Sequence, residues 1–148
     1  VAQGPIDEII SYKKLSYFNK GNKKSSLIKG VIIGHDKEYL SSTIDIDGVL
    51  ITSKSINDKI GSNQILKLFS KDISIATEIP TNISINNILE TIIKNIKIQK
   101  QKGSVDLTLS IGKQEITSEV TFRSYKKLKL NIGLKVYALI KAVSIVGK

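Results

Sequence analysis

The chain has 148 residues, 41% of them hydrophobic, with 23 Lys and Arg against 13 Asp and Glu, a single histidine and no cysteine. Without cysteine, disulfides and thiolate metal sites are excluded, and His35 alone cannot build a histidine-cluster metal site. The length suits one ordinary domain or two small ones, and no apolar run approaches the ~20 residues of a membrane helix.

The charge is uneven. Residues 1–80 carry 11 Lys and Arg against 9 Asp and Glu; residues 81–148 carry 12 against 4. A basic half suggests an anionic partner, whether nucleic acid, an anionic membrane surface or a small oxyanion. The bias toward Ile, Lys, Asn and Ser also fits lysines spread over solvated faces. With no signal peptide read at its start, the chain is expected in the cytoplasm.

The start, Val1-Ala2-Gln3-Gly4-Pro5, reads as a cut into a longer protein, and Ile6, Ile9 and Ile10 space a short amphipathic helix ending near Ser11. Asn19 to Ser26 is polar, without periodicity, and reads as a linker. Leu27–Ile33 is a β-branched strand, 35–38 a turn, and Leu40–Ile46 a second strand. Asp47-Gly48 signals a hairpin into Val49–Thr52. After a polar loop over 53–61, Ile65–Ile75 reads as a strand, broken near Ser70-Lys71. Pro80 marks a boundary.

Past that boundary, Ile83–Leu89 and Ile92–Gln99 read as strands. Val105, Leu107, Leu109 and Ile111 alternate strictly with polar residues, the mark of a half-buried strand. Gly112-Lys113 turns into Glu115–Thr121, and 122–130 allows one short helical turn. The last strand runs from Lys135 to Val146 and is largely apolar on both faces. Lys141 interrupts it. That lysine either marks the strand leaving the core or faces a bound anion.

This last stretch has an echo. Residues 68–76 align with 138–146, with Lys71 on Lys141, Ser74 on Ser144 and Ile75 on Ile145; Asp47-Gly48 matches Ile111-Gly112. An internal repeat of this size predicts two similar units. The fold expected is all-β, two tandem small OB-like barrels with a short N-terminal helix.

Phosphate-binding loops, nucleophile elbows and metalloprotease motifs are missing from the sequence, and no carboxylate pair or Ser–His pair stands out. No catalytic residue and no metal or other cofactor is expected. What remains suits a tetrahedral anion: hydroxyls at Ser84, Thr121, Ser124 and Ser144, a charge at Lys141, and backbone amides at turns.

The order of these residues carries a family resemblance. Ile83-Ser84-Ile85-Asn86-Asn87-Ile88-Leu89, then Val120-Thr121-x-x-Ser124, then Leu130-x-x-Gly133-x-x-Val136 through Lys141-Ala142 resembles the oxyanion-binding TOBE, or molbindin, domain. More narrowly it is similar to the C-terminal region of the ATPase subunit of molybdate ABC importers. Val1–Ile9 looks like the end of an ABC ATPase domain. The resemblance implies three segments: 1–24, the tail of that ATPase domain plus linker; 25–80, a first TOBE-like unit; and 81–148, a second.

It implies OB-type barrels completed by strand exchange in a homodimer, an upstream ATPase domain and membrane permease subunits as partners, and a place at the inner face of the cell membrane. It also implies molybdate or tungstate as ligand, bound by Ser84, Ile85, Asn86, Thr121, Ser124, Lys141 and Ala142. One departure stands out. The family's Ser-x-Arg-Asn reads Ser84-Ile85-Asn86-Asn87, so the arginine that would face the anion is Asn86. Two functions follow: an oxyanion-sensing regulatory domain, or a structural dimerisation module whose anion site has decayed. Nucleic-acid binding is not expected, because three Phe, five Tyr and no Trp leave few stacking residues.

Overall fold

The computed structural model describes residues 24–141 and 143–147. The expected helix near Ile6–Ser11 lies outside them. Among the described residues are ten strands and one short α-helix, so the all-β expectation holds. The strands are β1 (Ser25–Asp36), β2 (Ser41–Ile46), β3 (Val49–Lys54), β4 (Asn63–Phe69), β5 (Ile73–Ala76), β6 (Asn87–Gln99), β7 (Ser104–Ile111), β8 (Gln114–Thr121), β9 (Lys135–Ile140) and β10 (Ser144–Gly147); α1 is Phe122–Lys127.

They form two five-stranded antiparallel sheets, ordered β10-β4-β1-β2-β3 and β5-β9-β6-β7-β8. Each sheet therefore takes one edge strand from the other half of the chain. β5 follows β4 in sequence but pairs with β9, Ile73 against Ile140. β10 follows β9 but pairs with β4, Ser144 against Lys67. The sheets cross the sequence boundary at residue 80 in both directions.

Two expectations are corrected here. The stretch from Val136 to Val146 is not one strand but two, lying in different sheets, and Lys141 sits exposed at the crossover between them. The segment Ile83–Asn86 is irregular, and a single strand, β6, spans the region read as two. β6 stays continuous because a bulge lets it bend. Its first half pairs with β9 and its second with β7, and the register shifts between Ile93 and Asn95. The break foreseen near Ser70-Lys71 is a 3-10 turn over Ser70–Asp72.

β1 repeats this device. It changes partner from β4 to β2, with a register shift between Ile32 and Gly34. In both units the bulge isoleucine is wholly buried, at 0% exposure. Its backbone is bonded to an incoming loop: Gly61 N–H to Ile32 C=O at 2.7 Å and Ile32 N–H to Ser62 C=O at 3.0 Å; Gly133 N–H to Ile93 C=O at 2.8 Å and Ile93 N–H to Leu134 C=O at 3.1 Å. The repeat seen in sequence is thus a repeat of backbone hydrogen bonding.

Alternating isoleucines and leucines from both units merge into one core, from Ile28, Ile44 and Leu66 to Leu107, Val136 and Ile140. The second sheet curls until its edges meet, where the Ser118 hydroxyl on β8 donates to the Ile73 carbonyl on β5. The two hairpin turns also touch. The Asp47 carboxylate accepts Lys113 N–H at 3.0 Å and the Gln114 amide at 3.3 Å.

Gly112 sits under that contact at φ +62°, where an added Cβ would overlap the Asp47 side chain and press on the Ile46 carbonyl. Gly103 has nearly the same φ, +63°, in open space. Gly103→Ala should therefore lose about 1 kcal/mol for the left-handed backbone alone. Gly112→Ala should lose at least about 1 kcal/mol more through overpacking. Urea unfolding of the two variants checks the difference.

Candidate functional site

The predicted residues fall into two groups. Ser84, Ile85 and Asn86 occupy the irregular segment before β6; Ser84 and Asn86 are exposed and Ile85 is half-buried. Lys141 follows β9 directly. Because Asn87 pairs with Ile140, Asn86 and Lys141 continue from paired residues at one end of the second sheet. Ile73 flanks Ile140 from the other side, so Asp72 adjoins the same end. Among the described residues Lys141 has no ion pair. Ala142 lies outside the described residues.

Thr121 and Ser124 lie elsewhere. Thr121 is the N-cap of α1, its hydroxyl accepting Ser124 N–H at 3.0 Å and donating to Ser124 Oγ at 3.0 Å. That is ordinary capping. Thr121 pairs with Ser104, which pairs with Gln99 at the far end of β6 from Asn87. The fold brings Ser84–Asn86 and Lys141 together and holds Thr121–Ser124 at the opposite end of that strand. Ser144, the remaining hydroxyl, pairs into the first sheet.

Asn87 matters more than its sequence position suggested. It is only 6% exposed. Its side-chain carbonyl accepts Thr52 N–H at 2.8 Å and its amide donates to Thr52 C=O at 2.9 Å. The amide thus stands in for a peptide group of a neighbouring strand and satisfies the open edge of β3. Gln114 does the same for Lys29, with bonds of 2.8 and 2.9 Å. Only the family's Ser-x-x-Asn spacing hinted at Asn87; polarity alone marks it as loop.

The anchoring places the Ser84–Asn86 loop against the first unit. The candidate site is therefore a junction between units where Ser84, Asn86 and Lys141 come together, with Asp72 at the same end. That donor set can hold a small oxyanion by charge-assisted hydrogen bonds.

This architecture, two small barrels exchanging edge strands with a polar junction between them, belongs to a known class. Residues 83–146 match the family model of the TOBE domain. The chain is similar to molybdenum import ATP-binding proteins named ModC. It is 28% identical to that of Hahella chejuensis over 98% of this chain and 40% of that protein. It is 32% identical to that of Mannheimia succiniciproducens over 83% of this chain and 34% of that protein. The chain thus spans about two-fifths of these relatives' length. Among solved structures, the cytoplasmic molybdate-binding protein ModG, in its molybdate-bound form, matches with a TM-score of 0.69 at 22% identity, covering 83% of this chain and 96% of that one. At that identity the likeness speaks for the fold.

Asn87→Ala should strip the Thr52 backbone of both partners and cost about 2 kcal/mol. Asn87→Asp keeps an acceptor for Thr52 N–H but sets a carboxylate against Thr52 C=O. Only the protonated acid can donate there, which raises its folded pKa above the unfolded ~3.9. Its stabilising contribution is then present below that value and lost as pH rises through the folded pKa. Urea unfolding against wild type should show the Asn87→Asp deficit large at neutral pH and smaller near about pH 4.

Proposed function

We propose that this chain is the C-terminal oxyanion-sensing region of an ABC importer's ATP-binding subunit, carrying molybdate or the isosteric tungstate. The observation that carries this is similarity to ModC proteins along nearly the whole chain, joined to a junction where Ser84, Asn86 and Lys141 share one end of the TOBE sheet. The intact protein would then hydrolyse ATP through an upstream domain, dock on permease subunits and lie at the cytoplasmic face of the membrane. Bound anion would act on that ATPase as a report of internal supply. Lys141 supplies charge; Ser84 and the amides of Ile85 and Asn86 supply directed donors; Ala142 stands in the family position next to the lysine.

Molybdate titration at fixed ionic strength tests the site. Lys141→Ala should weaken binding about ten- to a hundredfold, the cost of one charge-assisted bond to a dianion. Asn86→Arg should strengthen it by a similar order by restoring a bidentate donor. If wild type and both variants titrate alike, or none binds, the region is a structural module and the sensing role fails.

We infer a homodimer as well, on changed grounds. Asn87 and Ile88 pair with Ile140 and Leu139 of the same chain. Strand exchange is instead met inside one chain. The ground for a dimer is the position of Thr121–Ser124: far from Ser84, they reach an oxyanion loop only if another copy brings one. Sedimentation at tens of micromolar, on the order of ordinary assay concentrations, should give a dimer. A monomer at every concentration would refute it.

A further inference from the structure

The two units meet at two related junctions, and these differ in charge. At the first, the start of β1 runs antiparallel along the edge of β8. Lys24 reaches Asp106 and Glu119, Ser26 Oγ accepts Thr117 N–H at 3.1 Å, and Lys29 is bonded to Gln114. At the second, the start of β6 meets the edge of β3 through Asn87 and Thr52. The repeat relates them. Asn87 stands as far before the bulge residue Ile93 as Ser26 stands before Ile32. Both accept a threonine N–H, from Thr52 on β3 and from Thr117 on β8.

That register places one more residue. Two positions before Ser26 is Lys24, which meets Glu119, two positions after Thr117. Two positions before Asn87 is Ile85, and two positions after Thr52 is Lys54. Lys54 thus occupies the place of Glu119, beside the Ser84–Asn86 loop. The residue across the sheet changes in the same way. Asp106 pairs with Glu119 on β7–β8, and Ser41 pairs with Lys54 on β2–β3. One junction offers two carboxylates and fills them with Lys24. The other offers a hydroxyl and a lysine. Lys54 is exposed and has no ion pair among the described residues.

We propose that Lys54, on the first unit, completes the oxyanion site of the second, supplying the positive charge that Asn86 does not. Ser41 beside it adds a hydroxyl donor. With Lys141, two ammonium groups from two units then face a dianion at a junction whose related position is closed by an internal salt bridge. The inference rests on the oxyanion reading above. It differs in assigning part of the site to a segment outside the matched TOBE residues 83–146.

Molybdate titration of the 148-residue chain is the test, with Lys54→Ala, Lys54→Arg, Lys141→Ala and the distant control Lys94→Ala. Lys54→Ala should weaken binding about tenfold or more, the cost of one charge-assisted bond. Lys54→Arg should retain most affinity, Lys94→Ala should match wild type, and the melting temperature of Lys54→Ala should stay within about 2 °C, as for a surface change. If Lys54→Ala binds like wild type while Lys141→Ala loses affinity, the role of Lys54 is overturned and the oxyanion reading stands. If Lys94→Ala loses as much as Lys54→Ala, the effect is general charge attraction and the site assignment falls. If wild type binds no molybdate, both readings fall together.

Discussion

The reciprocal exchange of β5 and β10 is the constraint on which the rest of this structure depends. A sheet edge without a partner leaves a row of backbone donors and acceptors unsatisfied. Here each sheet closes one edge with a strand that the other half of the chain supplies. Neither half can complete its own sheet, so the isoleucine and leucine side chains of both merge into one core. The chain must then cross from β9 in one sheet to β10 in the other. A lysine inside an apolar run is costly within a strand, but at an exposed crossover its charge stays in water.

Once the strands are exchanged, side chains finish the remaining contacts. Asn87 and Gln114 each present a carboxamide to a backbone N–H and C=O of the other unit, on Thr52 and Lys29. A carboxamide carries the same donor and acceptor as a peptide group, so two residues replace two further lengths of strand. The same economy appears at the bulges, where Ile32 and Ile93 turn the long strands and pass their backbone bonds to a glycine loop. Two tandem copies of one unit thereby become a single interlocked body.

The two junctions are alike in backbone and unlike in charge. Lys24 with Asp106 and Glu119 is an internal salt bridge that ties the units together. Lys54, paired across the sheet with Ser41, has no ion pair among the described residues, and neither has Lys141. In the proposed site, a lysine from each unit would draw both units toward a bound dianion.

Much of the fold was legible in the residues. Period-two alternation located β7, Asp47-Gly48 located the β2–β3 turn, and the matched lysines at 71 and 141 exposed the repeat. These signals are local: a side chain's face and a turn's φ are set by neighbours in sequence, as Asp47 at φ 51° and Gly48 at φ 94° show. What only the tertiary structure decided was partnership. Alternation tells which face of a strand is buried but not which strand lies beside it. Hence β5 and β10 read as continuations of their own units, and β6 as two strands. The candidate site divides the same way. Ser84, Asn86, Lys141, Thr121 and Ser124 stood out together in sequence, but only the fold shows that the first three share one end of the second sheet and the last two lie at the opposite end of β6. Asn87 gained its role only when the second unit was laid against the first, because backbone hydrogen bonds between distant segments leave no periodic mark on either.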